Sequence, residues 1–371
     1  MRSEGRMNFA PIDERWMRRA LELAGRGRWT TWPNPMVGCV VVDQDRCIGE
    51  GWHQQFGEGH AEVNALRQIG EGIDLSKATA YVTLEPCSHV GKTPPCARLL
   101  TERGVGRVVV AMEDPNPMVS SRGIELLREA GVDVEVGCLA QEAKSLNARF
   151  VHAMTQPTPW VTLKWAQSSD GFIDPETRAL PGRGSHALTG KASARWTHGL
   201  RAQHDGILVG MRTWLVDAPR LNVRAVPGHS PRPMVLTHGQ TPPPTKWTRS
   251  EEETLPATML HPLDGLGSDA MKAWGKAGHA THCMNAPWPT GPWWHAMKKD
   301  LGCEAVLVEG GATLAQQVLD TPFWNELHVL TATGSLGQGL RAPSVPAWSP
   351  SQSMTMGEDV VDVWHPISSH L

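Results

Sequence analysis

The chain has 371 residues, more than one hydrophobic core usually holds, so its length predicts two or three domains. Hydrophobic residues make up 40% of the chain, charged residues 20%, and the formal net charge is -3, which gives no reason to expect nucleic acid or an anionic membrane as a partner. No apolar run approaches the roughly 20 residues that a membrane span needs, and residues 1–12 lack the apolar core of a signal peptide, so we expect a cytoplasmic protein.

The first 150 residues alternate between helical and strand patterns. Asp13 is expected to cap a helix with an apolar face, and VGCVVV at 37–42 is typical of a buried strand with CIGEGWH as its hairpin partner. Further elements are expected in chain order: a helix opening near His60, a strand at 78–84, a helix beginning near Cys96, a strand at 107–112, a helix at 120–130 and a strand at 132–136. This alternation predicts an α/β/α domain.

The stretch from His60 to Cys96 contains the residue types that bind zinc. His60, Cys87 and Cys96 can supply three ligands and leave the fourth position to water, as in catalytic zinc sites. Glu62 is spaced to move protons rather than bind metal, which is the role of the non-ligand glutamate in zinc deaminases. Eight residues, SHVGKTPP, separate the two cysteines, so we expect them to form a loop. Each residue alone could be a surface histidine or a packed cysteine, but the set favours a metal site.

The second half begins after the prolines of TQPTPW at 155–160, which predict a linker between domains at 1–154 and 158–371. WVTLKWA is expected to be a strand, Thr189 to cap a helix that runs to about Arg201, and GILVG to be a buried strand. We expect residues 227–257, rich in Pro, Thr and Ser, to cross the surface. Strand and helix patterns then alternate from 258 to 332, which predicts a mainly parallel sheet.

Three features of the sequence suggest ligand contacts, each with a simpler alternative. Gly310 and Gly311 separate a strand from a helix near Ala312, an arrangement that brings backbone N–H groups close to a phosphate, although most such pairs only make tight turns. Asn34, between two prolines, could contact a ring edge or simply form a turn. Arg201 and Arg224 suit a phosphate, but on their residue type alone a pair of solvated surface side chains is the favoured interpretation.

Several segments together resemble one family, the bifunctional riboflavin-biosynthesis deaminase/reductases. In the first half these segments are PNPMVGCVVV, GWHQQFGEGHAEVNAL, YVTLEPCSHVGKTPPCARLL and VVVAMEDPNPMV. In the second half they are LKWAQSSDG, LRAQHDGILVG, TWLVDAPRLNVR and VLVEGGATLAQQVL. The resemblance implies a cytidine-deaminase-like α/β/α domain followed by a dihydrofolate-reductase-like α/β domain, with Zn²⁺ and NADPH as cofactors.

The resemblance also implies roles for individual residues. Asn34 and the loop around His89 and Lys92 would line a pyrimidine pocket, and Asp217 would be a functional residue beside the nicotinamide. The implied cofactor contacts are Ala166, Thr213, Asp217, Gly310 and Gly311. The implied substrate contacts in the reductase are Ser185, Arg201, Leu221, Arg224 and Glu309.

The expected activity is zinc-dependent deamination of 2,5-diamino-6-(ribosylamino)pyrimidin-4-one 5'-phosphate, followed by NADPH-dependent reduction of the ribosyl group to ribityl. The partner is then a small phosphorylated pyrimidine, and we also expect a homo-oligomer. Ala187 replaces a tryptophan usual in the family, and residues 336–371 diverge from its pattern, so a deaminase with an inactive reductase-like domain is the alternative. A non-catalytic protein with a structural zinc would require a fourth ligand, for which His89 is the candidate.

Overall fold

The computed structural model describes residues 9–88, 95–117, 120–175, 187–237, 256–262 and 267–367. The chain forms two compact units that divide between Thr155 and Gln156. Within the described ranges, no helix has both the length and the apolar character needed to span a bilayer.

The N-terminal unit is built on a five-stranded sheet with the strand order β2-β1-β3-β4-β5. Its strands are β1 (Gly38–Asp43), β2 (Arg46–Trp52), β3 (Thr79–Val82), β4 (Arg107–Val110) and β5 (Asp133–Val136). Its helices are α1 (Pro11–Gly25), α2 (Ala61–Leu66), α3 (Cys96–Glu102), α4 (Arg122–Glu129), α5 (Ala140–Leu146) and α6 (Ala148–Thr155). The predicted hairpin is confirmed, since β1 and β2 pair antiparallel.

Helices cover both faces of this sheet because its strands are apolar on both faces. Val41 of β1 packs in a core with α2, α3 and α4, whereas Val40 packs in a second core with α1 and α5. The predicted α/β/α arrangement is therefore confirmed.

The prediction that Asp13 caps the first helix is wrong. The helix begins at Pro11, and Asp13 is buried in its first turn. Its carboxylate accepts hydrogen bonds from Tyr81 Oη (2.8 Å) and from Arg107 Nη1 and Nη2 (2.8 and 3.0 Å). The hydrogen bonds from Arg107 lower the pKa of Asp13 despite its burial. Asp13 thus attaches α1 to the sheet instead of capping it.

The C-terminal unit contains a nine-stranded sheet with the order β11-β10-β9-β8-β12-β6-β13-β16-β15. Its strands are β6 (Trp160–Gln167), β8 (Gly206–Gly210), β9 (Arg232–Leu236), β10 (Thr258–Pro262), β11 (Ala280–Met284), β12 (Ala305–Glu309), β13 (Glu326–Thr331), β15 (Gln352–Met356) and β16 (Asp359–Trp364). Strands β7 (Phe172–Asp174) and β14 (Leu340–Arg341) form a separate antiparallel pair. The helices are α7 (Lys191–Ala202), α8 (Met211–Asp217), α9 (Ser268–Lys276), α10 (Gly291–Leu301) and α11 (Ala312–Leu319).

Each pair of neighbouring strands from β11 to β13 in this order is parallel. At the other end of the sheet, β16 pairs antiparallel with both β13 and β15. The mainly parallel sheet predicted from the sequence is confirmed. Strands β8, β12 and β6 are neighbours, so their carboxyl ends meet at one edge of the sheet. Ligand sites of open α/β sheets form at such an edge, and several of the predicted reductase residues lie there.

Two sequence expectations for this unit are wrong. Thr189 does not cap α7, because the helix follows Gly190, whose N–H donates to Asp359 Oδ2 (2.8 Å), and Ser193 Oγ donates to the same oxygen (2.6 Å). The segment 227–257 does not simply cross the surface, because it contains β9, which lies between β8 and β10 and buries Met234 and Val235 completely. Residues 238–255 lie outside the described ranges.

Candidate active sites

The predicted zinc ligands lie together in the N-terminal unit. His60 immediately precedes α2, Cys87 follows β3, and Cys96 begins α3, so three separate elements supply the three side chains. His60 Nδ1 lies 3.5 Å from Cys87 Sγ and 3.4 Å from Cys96 Sγ, and the N–H of Cys96 donates to Cys87 Sγ (3.3 Å). All three potential ligand atoms lie within 4.8 Å of one another.

These distances fit a tetrahedral zinc ion. Zinc binds sulfur at about 2.3 Å and histidine nitrogen at about 2.0–2.1 Å, so tetrahedral angles would separate the two donor atoms by about 3.6 Å. The observed separations of His60 Nδ1 from the two sulfur atoms are close to this value. Hydrogen bonds from Cys96 and from His60 lower the pKa of the Cys87 thiol, which favours the thiolate that a metal requires. The residues present therefore fit zinc.

A structural zinc site would need a fourth protein ligand. Among the described residues, only His60, Cys87 and Cys96 form a group that could hold a metal ion. His89, the candidate for the fourth position, and Lys92, assigned to the pyrimidine pocket, both lie outside the described residues.

Glu62 lies in the first turn of α2 beside the metal-ligand cluster and is only 3% exposed. Burial raises the pKa of its carboxyl group to about 7, and the negative charge of Cys87 acts in the same direction. A carboxyl group that titrates near neutrality can both accept and return a proton. Its position and environment suit the acid–base role that the sequence predicts.

Asn34 is held in a defined orientation by His53. The N–H at Nδ1 of His53 is 3.2 Å from the carbonyl of Gly59, to which it can donate, and this tautomer leaves Nε2 to accept from Asn34 Nδ2 (3.1 Å). Burial lowers the pKa of His53, which keeps the ring neutral and therefore able to accept. The two residues line a cavity of about 310 Å³ together with His60, Glu62 and Cys87. Other residues that line it are Asp114, Asn116 and Phe150. Asn34 is thus placed to contact a ring bound next to the cluster.

The second candidate site is a cavity of about 280 Å³ in the C-terminal unit. Six residues predicted from the sequence line it: Ala166, Thr213, Asp217, Glu309, Gly310 and Gly311. They come from the end of β6, from α8, and from the turn between β12 and α11. Parallel packing of β6, β8 and β12 thus brings together residues that lie far apart in the sequence.

The glycine pair requires glycine for two reasons. Both residues have positive φ angles, +93° at Gly310 and +79° at Gly311, a backbone conformation that residues with a side chain rarely adopt. A Cβ atom at Gly310 would lie 2.9 Å from Thr213 Cγ2, and one at Gly311 would lie 3.1 Å from Thr213 Oγ1. The turn therefore packs against α8, and Gly311 leads directly into α11, whose first N–H groups are available to an anion.

Glu309 ends β12 in the wall of this cavity and forms two buried ion pairs. Its carboxylate accepts from Arg201 Nε and Nη2 (2.9 and 2.6 Å) and from Lys164 Nζ (3.2 Å). Burial acts to raise the pKa of Glu309, but the charges of Arg201 and Lys164 outweigh it and lower this pKa to about 2. Arg201 is only 11% exposed and also donates to the carbonyl of Asn222 (3.0 Å), so it is not a solvated surface residue.

The remaining predicted residues are not among the described residues that line the cavity. Arg224 is exposed, and its Nη1 donates to Asn222 Oδ1 (2.8 Å). Leu221 has a φ of +53° and packs in the core with Leu200 and Trp214, so only its backbone could contact a substrate. Ser185 lies outside the described ranges.

Sequence reasoning missed two residues of these cavities. The sequence predicts no role for His53, because one histidine in a loop carries little information, although it lies seven residues before His60 in the same segment. It predicts Lys164 only as part of a strand. A lysine in the middle of the largely buried strand WVTLKWA is the signal that identifies it, since a lysine is rarely buried without a partner.

Comparison with known proteins agrees with the predicted fold class. Residues 11–112 match the model of the cytidine and deoxycytidylate deaminase zinc-binding region, and residues 159–262 match that of the RibD C-terminal domain. The riboflavin biosynthesis protein RibD of Aquifex aeolicus is 35% identical over 360 residues, which cover 94% of this chain and 97% of that protein.

Two solved structures are similar over nearly the whole chain. Acinetobacter baumannii RibD has a TM-score of 0.77 at 34% identity, covering 96% of this chain and 99% of that chain. A Thermotoga maritima protein described as a diaminohydroxyphosphoribosylaminopyrimidine deaminase/5-amino-6-(5-phosphoribosylamino)uracil reductase has a TM-score of 0.76 at 30% identity, with the same coverage. The predicted fold class, a deaminase-like domain followed by a reductase domain, is confirmed.

Proposed function

The chain belongs to the RibD family of riboflavin biosynthesis proteins, and we propose that it catalyses both a zinc-dependent deamination and an NADPH-dependent reduction. The substrate of the first reaction is 2,5-diamino-6-(ribosylamino)pyrimidin-4-one 5'-phosphate. The observation that carries the proposal is that each unit contains one cavity in which the residues expected for one reaction converge.

In the deamination, His60, Cys87 and Cys96 would hold a zinc ion, which would supply a Lewis acid that makes water nucleophilic near neutral pH. Glu62 accepts one proton from the attacking water and delivers it to the ring. It then accepts the proton of the newly added hydroxyl group and delivers that second proton to the departing amino group. An oxygen atom from water thereby replaces the 2-amino group, which leaves as ammonia. Asn34, oriented by His53, contacts the ring edge and holds the amino-bearing carbon next to Glu62.

In the reduction, NADPH supplies a hydride, and the protein binds and orients the reactants. The N–H groups at the start of α11, reached through Gly310 and Gly311, bind a phosphate of the cofactor. Thr213 and Asp217 on α8 also line the cavity and would contact the nicotinamide. Glu309 and Lys164 lie in the same cavity, where Glu309 contacts the substrate and the ammonium group of Lys164 is a source of the proton that must accompany the hydride.

The alternative function is deamination alone. It is favoured only by the divergence of Ala187 and of residues 336–371 from the family pattern, whereas the reductase residues that the structure describes at the cavity lie together. Consumption of NADPH with the deaminated compound separates the two functions.

Two single-site variants test the proposal. Asp217→Asn should retain deamination and accumulate the deaminated pyrimidine, because the substitution lies in the reductase cavity alone. Glu62→Gln should show the opposite behaviour and reduce deaminated compound that is supplied to it. Asp269→Asn, at a side chain 97% exposed, is the matched control and should retain both activities. If Asp217→Asn reduced at the wild-type rate, the proposed place of the nicotinamide would be wrong.

A further inference from the structure

Residues 334–344, here called the rim segment, follow β13 and contain β14. Two of its apolar side chains, Leu340 and Pro343, line the reductase cavity with Ile173 and Leu188. Gly310 and Thr213 line the same cavity. The rim segment therefore forms part of the boundary of the space in which the cofactor is proposed to bind.

Asp170, in the turn between β6 and β7, holds the first half of the rim segment. Its carboxylate accepts from Ser335 Oγ (2.8 Å) and from the N–H groups of Leu336 (3.0 Å) and Gly337 (2.7 Å). Ser168 Oγ also donates to it (2.6 Å). The hydrogen bond from Ser168, together with those from the rim segment, holds the pKa of Asp170 well below its usual value. One carboxylate thus satisfies two backbone donors and a hydroxyl group of the rim segment.

The second half of the rim segment is attached on two sides. Leu340 and Arg341 of β14 pair with Asp174 and Phe172 of β7, and Gly339, with a φ of +142°, leaves no space for a Cβ atom against the carbonyl of Asp174. On the other side the N–H of Ser344 donates to Gln316 Oε1 (2.8 Å), a side chain of α11. The segment is therefore tied both to the β6–β7 turn and to the helix that follows the glycine pair.

We propose that Asp170 is a positioning residue for NADPH binding, because it fixes the rim segment so that Leu340 and Pro343 form an apolar wall of the cofactor cavity. The inference rests on the proposed reductase function. Apolar wall atoms contribute affinity by removing apolar ligand surface from water, but only if the wall is ordered before the ligand binds. The hydrogen bonds to Asp170 supply that order without any contact between Asp170 and the cofactor.

The substitution Asp170→Asn tests the proposal with little change in shape. The amide lacks the negative charge of the carboxylate. Because it has one oxygen and one NH₂ group, it would place a donor against the N–H of either Leu336 or Gly337, which both donate to the carboxylate in the wild type. Loss of charged hydrogen bonds predicts that the dissociation constant for NADPH rises about tenfold or more. Leu340→Ala removes wall atoms directly and should weaken NADPH binding while leaving the Asp170 hydrogen bonds in place.

The measurement is titration calorimetry of the full chain with NADPH alone, supported by the KM for NADPH and kcat of reduction and by the thermal midpoint of each variant. We expect weaker binding and a higher KM for both variants, with a much smaller change in kcat and unchanged deamination. Asp269→Asn is the control and should bind NADPH as the wild type does.

A folded Asp170→Asn protein that binds NADPH with wild-type affinity would overturn the proposal, and so would a folded Leu340→Ala protein that does. If Asp170→Asn does not fold, Ser335→Ala, which removes one of the hydrogen bonds to Asp170, takes its place with the same two outcomes. Wild-type protein that binds no NADPH would instead overturn the proposed reductase function and this inference with it, a result distinct from equal binding by wild type and variants.

Discussion

At the scale of single residues, we propose that the deamination depends on one buried carboxyl group. Glu62 is almost completely removed from solvent and lies beside the three candidate metal ligands. Glu62→Gln should therefore lower the rate of deamination by about 10²–10⁴-fold, because the amide has the same shape but cannot accept a proton. Zinc content, measured by elemental analysis, should be unchanged. Near-normal turnover by zinc-loaded variant would show that another group moves the proton.

Arg201 provides a second residue-scale prediction. It joins Glu309 to the carbonyl of Asn222, so Arg201→Ala leaves the buried carboxylate with Lys164 as its remaining ion-pair partner. Breaking a buried ion pair typically costs about 3–5 kcal/mol, so we expect a clear loss of stability in denaturant unfolding as well as weaker substrate binding in reduction. Arg18→Ala, which removes an exposed ion pair with Glu14, is the control and should change stability little. Equal stability of the two variants would contradict the role assigned to Arg201.

His198 predicts how stability depends on pH. Its Nδ1 accepts from the N–H of Arg224 (3.3 Å), and burial, together with the charges of Arg201 and Arg224, lowers its pKa to about 4. In the unfolded chain a histidine titrates near pH 6.5, so between about pH 6.5 and pH 4 the unfolded state binds more protons than the folded state. The contribution of His198 to the free energy of unfolding is therefore fully present above pH 6.5, and it is lost as the pH decreases toward 4.

The substitution His198→Gln keeps an acceptor but does not titrate. We expect the decrease in thermal midpoint between about pH 7 and about pH 5 to be smaller in this variant than in the wild type, measured by calorimetry. His229→Gln, at an exposed histidine, should leave the decrease unchanged. If both variants lost as much stability as the wild type over this range, His198 would not be the group that titrates.

At the scale of elements, the turn between β12 and α11 depends on glycine. Gly310→Ala would place a Cβ atom in a left-handed conformation 2.9 Å from Thr213 Cγ2, so we expect a loss of about 1–3 kcal/mol in stability and a strong decrease in reduction. Gly275→Ala, inside α9 with no atom within 4 Å of the new Cβ, should instead be neutral or stabilising by up to about 1 kcal/mol. Unfolding in denaturant compares the two. A tolerated Gly310→Ala with full reduction would contradict the close packing of this turn against α8.

Elements that depend on neighbouring residues could be predicted from the sequence, and those that depend on distant residues could not. The β1–β2 hairpin and the strand, glycine pair and helix around Gly310 follow from local patterns, as does the choice of the three candidate metal ligands. The start of α7 could not be predicted, because its Gly190 and Ser193 donate hydrogen bonds to Asp359. That residue lies near the opposite end of the unit's sequence. Strand β9 was missed for a similar reason, since it is stabilised by pairing with β8 and β10 rather than by its own composition.

The same distinction applies within the sites. His60 and Glu62 are two residues apart, so their spacing alone suggests the chemistry. The ion pair between Arg201 and Glu309 joins residues 108 positions apart, and the residue type of Arg201 alone favours a place on the surface. Only its contact with Glu309 in the folded unit shows that Arg201 is buried.

At the scale of the whole molecule, each unit has its own sheet, its own core and its own cavity. Cys96→Ser should therefore abolish zinc binding and deamination but leave the reduction of supplied deaminated compound, because the substituted thiol lies in the N-terminal unit. Cys47→Ser, at an exposed thiol outside the cluster, is the control and should retain both activities and the metal. Loss of both activities in a soluble Cys96→Ser protein would show that the units do not function independently.

We propose that one chain performs both reactions in sequence. The direct measurement is mass spectrometry of the products formed by zinc-loaded protein from 2,5-diamino-6-(ribosylamino)pyrimidin-4-one 5'-phosphate, with and without NADPH. Without NADPH, we predict a product in which one amino group has been replaced by oxygen. With NADPH, we predict the same change together with the gain of two hydrogen atoms and the oxidation of one NADPH per molecule. Unchanged substrate, or a deaminated product that NADPH never converts further, would contradict the account.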